Sequence, residues 1–297
     1  MKKYFLAFLL FSLSSVLLPL EALAIPNDDL TARERLSTAR GVGLANAIVA
    51  NAGGTSAVWH NPAAISSAVM YSLEAAYRFN NATNSHGVQA NLLDMKSNAY
   101  VGAEIGYDYE YSKIEGKSQH FNHVRLALAV PLADNIVSIG ITGAYSNIKY
   151  GGDTTLSQFT MDVGLMIRPT SWLSFAFTTQ NIFVGDYKLV MPRIYAAGIA
   201  FNSLELGLGF MFEASFNGSA DNIAKTGSYG FGVEYLLLGT FPIRLGYRYE
   251  MPDDQHVFAA GVGYRDKAGL LGVDISYQHH FDPSQNDILN AGLSLYF

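Results

Sequence analysis

The absence of cysteine from this 297-residue sequence removes thiol nucleophiles, disulfides and thiolate metal sites, and leaves histidine and the charged residues as the groups able to do chemistry. Six of the seven histidines, His86, His120, His123, His256, His279 and His280, fall near corresponding ends of short alternating runs and could form a metal-binding rim. Their spacing matches no ligand set and is equally that of polar residues on a wet rim, so no metal is assigned. A hydrolase needs a hydroxyl beside an oriented base; His123 or His280 with a nearby serine is the available arrangement. Nothing marks a nucleophile, so no catalytic residue and no cofactor is assigned, and the chain is read as a non-enzyme. Gly261 and Gly263 in GVGY are strand glycines rather than a phosphate loop, because no helix follows.

Electrostatics is the chemistry this sequence does organise. Glu74, Arg78, Glu104, Asp108, Arg125, Asp162, Arg244, Arg248 and Asp274, with Arg168, Glu205, Glu213, Glu234, Glu250 and Arg265 beside them, occupy one parity of runs whose other parity is apolar. Two readings follow. The charges line a route for a polar or amphipathic molecule, or they pair with one another and with a plug, fixing a barrel without transporting anything. Arg40, far upstream, is the natural partner for one of the acids.

The elements that must position these residues are strands. In PIRLGYRYE, Ile243, Leu245, Tyr247 and Tyr249 share one face while Arg244, Gly246, Arg248 and Glu250 share the other. Fourteen such runs are found between residues 68 and 297, most long enough to cross a bilayer as tilted strands. Connections alternate: DMKSN, LADN, PTS, NS, LGT and RDKAG are short, whereas NNATNS, KIEGKSQ, YGGDTT, VGDYKLV, NGSADNIAKTG, MPDDQ and DPSQND are longer and more polar. An even strand number and this parity predict a transmembrane barrel of the outer membrane with both chain ends in the periplasm. A soluble sandwich also alternates, but its polar face carries Lys and Thr rather than this mixture of Gly, Ala and single charges. Aromatics including Tyr77, Tyr107, Tyr109, Tyr145, Tyr247 and Tyr277 gather where an outer interfacial girdle belongs.

Upstream, MKKYFLAFLLFSLSSVLLPLEALA has the basic start, apolar run and A-x-A end of a signal peptide, so residues 1–24 are expected to be removed after Ala24. A formal net charge of −6 at pH 7 excludes a nucleic-acid binder. Residues 25–66 lack the period of two. Thr31 and Glu34 are spaced as a capping box for a short helix over ARERLSTA, and a Gly- and Ala-rich stretch then ends in SAVWHNPAAIS. Pro62 fixes a turn and pushes Asn61 out of the α region. Ala63 leaves room for the strand-one wall, and the Asn61 amide can bond backbone left unpaired there. The domain reading is a leader at 1–24, a hatch at 25–66 filling the lumen, and a barrel at 67–297.

The order G-x-G, small residues, then S-A-V-W-H-N-P-A-A-I directly before strand one resembles the N-terminal region of the FadL family of long-chain fatty-acid transporters, including its PorV/PorQ-like branch. Asn61, Pro62 and Ala63 carry the most specific element. The resemblance implies a fourteen-stranded antiparallel barrel with an N-terminal hatch, and passive movement of fatty-acid-like or aromatic molecules. It also implies capture at external loops and exit through a gap at an inward kink in strand three after the hatch shifts. YGGDTT and VGDYKLV are too short to build the helical external lobe of those transporters, and the compact size suits the PorV-like branch, some of whose members serve secretion. The ending AGLSLYF, with Phe297 last, resembles the terminal strand read by the barrel-assembly machinery. Partners implied are outer-membrane lipids, that machinery, a hydrophobic ligand and, in the alternative, a secretion partner.

Overall fold

The computed structural model describes residues 36–297 except 68, 82, 115, 152–153, 185–190, 253 and 282–286; the leader and the Thr31/Glu34 box lie outside the described residues. Fourteen antiparallel strands close in chain order: β1 (Tyr71–Asn80), β2 (Ser85–Asp94), β3 (Gly102–Ile114), β4 (Lys117–Leu132), β5 (Val137–Tyr150), β6 (Thr154–Thr170), β7 (Leu173–Gln180), β8 (Ile194–Ser203), β9 (Leu208–Asn217), β10 (Ser228–Leu237), β11 (Phe241–Glu250), β12 (Gln255–Arg265), β13 (Leu271–His280) and β14 (Ile288–Tyr296). Closure is made by β1 on β14, with Leu73 opposite Leu295 and Tyr77 opposite Ala291. Phe297 extends it, exchanging backbone hydrogen bonds with Tyr71 at 2.9 and 3.2 Å. Closure leaves no sandwich edge to expose.

Because side chains alternate across a strand, one parity faces out and the other in. Leu73, Val88, Ile105, Leu126, Ile141, Phe177, Leu245 and Ile275 are exposed outward, while Ser72, Arg78, Glu104, Asp108, Arg125 and Asp162 are buried inward. A continuous apolar exterior of this extent, around a polar interior, is the inverse of a soluble protein and belongs to a transmembrane barrel.

The end where β1 starts and β14 finishes is called the near end, and the opposite one the far end. β3 to β6 are the tall strands, at 13, 16, 14 and 17 residues, against 8 in β7. KIEGKSQ and YGGDTT, expected as loops, are therefore mostly strand, with only residues 115–116 and 151–153 left between β3 and β4 and between β5 and β6. Beyond the apolar band both faces meet polar surroundings. Hydrophobic alternation fades there while backbone pairing continues. VGDYKLV and DPSQND fall mostly outside the described residues.

The kink expected in strand three is absent from the described register: β3 pairs without interruption with β2 from Ala103 to Tyr111 and with β4 from Gly102 to Ile114. The irregular ladder is instead the one between β6 and β7. Their ladder shifts register between Ile167 and Thr170 and ends at Val163 opposite Thr179. Asn181 then takes a left-handed backbone (φ 53°), beyond which regular pairing gives way to single bonds: Ile182 N donates to Met161 O at 2.8 Å and Phe183 N to Thr160 Oγ1 at 3.3 Å.

Candidate functional site

The lumen is occupied by the segment 36–67. It forms helix α1 (Ala39–Gly43), helix α2 (Ala57–His60) and a 3₁₀ turn (Pro62–Ser67) joined by irregular chain. Thr38 caps α1, its Oγ1 accepting from Gly41 N at 3.3 Å. Val42, Leu44, Ile48, Val49, Val58 and Ala63 have no exposed surface, and each fully buried Val, Leu or Ile contributes about 1.5–3 kcal/mol. Such close packing needs a wall without side chains, and the inward glycines supply it. A Cβ on Gly246 would strike the Leu44–Ala45 backbone, one on Gly140 the Pro62–Ala63 backbone, and one on Gly106 the Trp59 ring. These glycines were legible only as part of a mixed inward face; their recurrence at inward positions of successive strands is the signal that marks a socket.

Asn61 is extended (φ −156°, ψ 105°), as a residue preceding proline should be. Its amide donates to Val49 O at 3.1 Å and Leu165 O at 3.4 Å, and its Oδ1 accepts from Ala63 N at 3.1 Å. The Asn61-Pro62-Ala63 turn therefore ties two parts of the plug to each other and to the wall. That wall is β5–β6, at Gly140 and Gly164, and not strand one as the sequence suggested. The 3₁₀ turn carries the chain from there to the start of β1, a distance the sequence spacing conceals.

Most of the expected charges face the lumen, in three groups. On β10–β13 a chain of alternating charges runs Arg40, Glu234, Arg244, Asp274, Arg265, with closest contacts of 3.0, 2.5, 2.5 and 2.8 Å. Arg40 engages both oxygens of Glu234 and also donates to Asn51 O at 2.7 Å. On β1 and β3, Arg78 pairs with Asp108 at 3.3 Å and with Glu110 at 2.7 Å. Glu110 was not singled out from sequence, although it shares the face of Asp108 two residues on. On β4 and β6, Arg125 pairs with Asp162 at 2.7 Å and donates to Val58 O at 3.0 Å.

Most of the remaining charges hold the plug directly. Glu104 accepts from Val58 N at 3.0 Å, Glu213 from Val49 N at 2.9 Å, and Glu74 from the Thr55 hydroxyl. Arg248 donates to Ala45 O at 2.9 Å and pairs with Glu250 at 2.8 Å. Arg168 donates to Ser66 O at 3.3 Å. Glu205 is the exception: it is exposed in the turn between β8 and β9, because β8 ends at Ser203.

His123 does lie beside a serine, with Nδ1 2.5 Å from Ser146 Oγ. Arg125 Nε donates to its Nε2 at 2.9 Å, which makes that nitrogen the acceptor and Nδ1 the proton carrier. The imidazole then donates to the serine, the reverse of what activates a nucleophile. Among the described residues no cluster of three or more potential metal ligands occurs.

The inward face is not uniformly polar: Leu93, Met166, Met211, Val257 and Ile288 are buried there singly, and one row is apolar across three neighbouring strands. Phe121, Ile148 and Leu156 are register partners across β4, β5 and β6, all buried near the far end. Met191, from the β7–β8 connection, lies over the neighbouring row, its sulfur 2.9 Å from Ser146 Oγ. The row ends on the part of β6 beyond its ladder with β7; at the end of that ladder Asn181 N donates to Asp162 Oδ1 at 2.8 Å and Gln180 Nε2 to Trp59 O at 2.7 Å.

No family model matches the chain, and no curated protein matches it. Among solved structures the barrel is similar to a Pseudomonas aeruginosa FadL homologue, with a TM-score of 0.65 and 11% identity over 88% of this chain and 98% of that one. It is also similar to the Ralstonia pickettii toluene transporter TbuX, with a TM-score of 0.59 and 11% identity over 86% of this chain and 97% of that one. At these identities the likeness is one of fold.

Proposed function

We propose that this protein is a bacterial outer-membrane barrel that passes hydrophobic small molecules, fatty-acid-like or aromatic, across the membrane under control of its N-terminal plug. The observation that carries the reading is the apolar row Phe121–Ile148–Leu156, an oily strip across three neighbouring strands that ends on the part of β6 beyond its ladder with β7. A hydrophobic solute needs apolar contact along its route, whereas a polar solute gains nothing from such a strip. The fold shared with a toluene transporter supports the same class of cargo. In this reading residues 1–24 direct export, both chain ends lie in the periplasm, Phe297 engages the assembly machinery, and the protein needs no metal, cofactor or catalytic residue.

The test is uptake of labelled fatty acid and of toluene by cells with and without the protein, and with Phe121→Asp. Uptake should require the protein and fall severalfold in the variant; equal uptake in all strains would sink the reading. A second reading, a secretion-associated or structural role like that of the PorV-like branch, is favoured by the dense packing of plug against wall. Co-purification of a secreted partner from cells whose uptake is independent of the protein would select it.

A further inference from the structure

We infer that the outward far rim of β3–β5 is a binding site for the phosphate-bearing headgroup of a membrane lipid. Lys113, His120 and Lys149 come from three adjacent strands. His120 is the register partner of Tyr111 on one side and of Lys149 on the other, and Lys113 stands two residues beyond Tyr111 on the same face. Both lysines are exposed. No carboxylate occupies the outward face of β3 to β6 among the described residues, and on that face two cations and an imidazole stand together.

The imidazole is oriented for this role. Tyr109 Oη lies 2.8 Å from His120 Nδ1 and the Tyr111 ring 5.2 Å from the imidazole centroid. With Tyr109 donating to Nδ1, the proton sits on Nε2, a donor held in place by the two rings. The same Tyr–His pairing occurs at Tyr77–His86 (2.6 Å) and Tyr247–His256 (2.8 Å), but no lysine is the register partner of either histidine. At β13 the corresponding imidazole, His279, already faces Asp287 at 2.8 Å. Only the β3–β5 copy combines the donor with cationic neighbours.

A lipid is the occupant because the patch tops an apolar surface. Descending β3 from Lys113, the outward residues are Tyr111, Tyr109, Tyr107 and Ile105. The last two border a depression of about 430 Å³ floored by Ala75 and Ala90 and walled by Leu92 and Leu293. From the Tyr111 row to this depression is roughly 13–20 Å at about 3.3 Å per residue, the reach of an acyl chain. Phosphate above and acyl chain below describe one amphiphile, and a soluble phosphate would use only the upper half.

The site follows from the barrel's placement in a membrane and is independent of what passes the lumen. It is tested on the full-length protein by native mass spectrometry from mixed micelles containing phosphatidic acid and diacylglycerol, which differ only in the phosphate. Wild-type protein should retain phosphatidic acid in preference. Lys113→Gln and Lys149→Gln should each lower that preference roughly fivefold, and Lys96→Gln, at the near end, should leave it unchanged. His120→Phe should lower it while keeping the aromatic packing. Equal retention of the two lipids by wild type overturns the proposal without need of any variant. So does an equal fall in Lys96→Gln, which would mean diffuse charge attraction.

Discussion

Against β10–β13 the plug is fastened by five alternating charges that run from Arg40 to Arg265, each carboxylate shared between two guanidinium groups. Against β4–β6 it meets one ion pair, Arg125–Asp162, and hydrogen bonds at Asn61 and from Arg168 to Ser66, next to an apolar row and an irregular ladder. A network in which each carboxylate has two cationic partners tolerates the loss of one cation, whereas a single buried ion pair does not. The first wall is therefore the permanent mooring. The second is where a small change releases the plug and disturbs the barrel wall together, because Arg125 holds Val58 O with one hand and, through Asp162, the Asn181 N–H with the other.

The largest test of that contrast removes the plug from both walls. Deleting residues 25–55 takes away no strand, so the protein should still show heat-modifiable migration, and its single-channel conductance should rise severalfold. Unchanged conductance in a folded deletion would mean that the segment does not fill the lumen.

Asp162→Asn comes next. Asn keeps an acceptor for Asn181 N but leaves the Arg125 cation buried without its carboxylate, at a cost of about 3 kcal/mol. Faster hydrogen exchange should appear both at Val58–His60 and at Asn181–Phe183. Exchange confined to one of the two would break the proposed linkage between plug and wall. Arg40→Ala should cost less, about 1–2 kcal/mol, because Glu234 keeps Arg244 and the Arg40 side chain is 18% exposed. Its effect should be confined to exchange at Ala39–Ala52, with no change near β6.

The barrel itself was legible in the sequence because its physics is periodic: alternation gave strand number, and the parity of the charges placed Arg244, Arg248 and Asp274 on the inner face. What lay inside the lumen was less legible. Arg40 could be assigned an acidic partner by sign alone, but the choice of Glu234 over other inward acids depends on where α1 rests against Gly261 and the chain just after it against Gly246, a matter of packing without sequence period. The irregular β6–β7 pairing was hidden for the same reason. It arises from one asparagine at positive φ and one carboxylate capping it, neither of which alters the hydrophobic pattern. A family resemblance pointed to strand three, whereas in this chain the irregular pairing lies between β6 and β7.

The most local expected effect is at the turn with which the plug meets β5–β6. Asn61→Ala removes donors to Val49 O and Leu165 O and the acceptor for Ala63 N, all in a fully buried position, for about 1–2 kcal/mol. Pro62 still fixes the backbone, so the turn should persist and the loss should appear as brief conductance openings rather than a steady leak. Asn61→Asp separates the two functions of the amide: it keeps the acceptor for Ala63 N, loses both donors and buries a charge, so its openings should be longer than those of the alanine variant. If Asn61→Ala is as quiet as wild type while Arg40→Ala leaks, the ion chain on β10–β13 is the releasable wall and the assignment of the two regions must be exchanged.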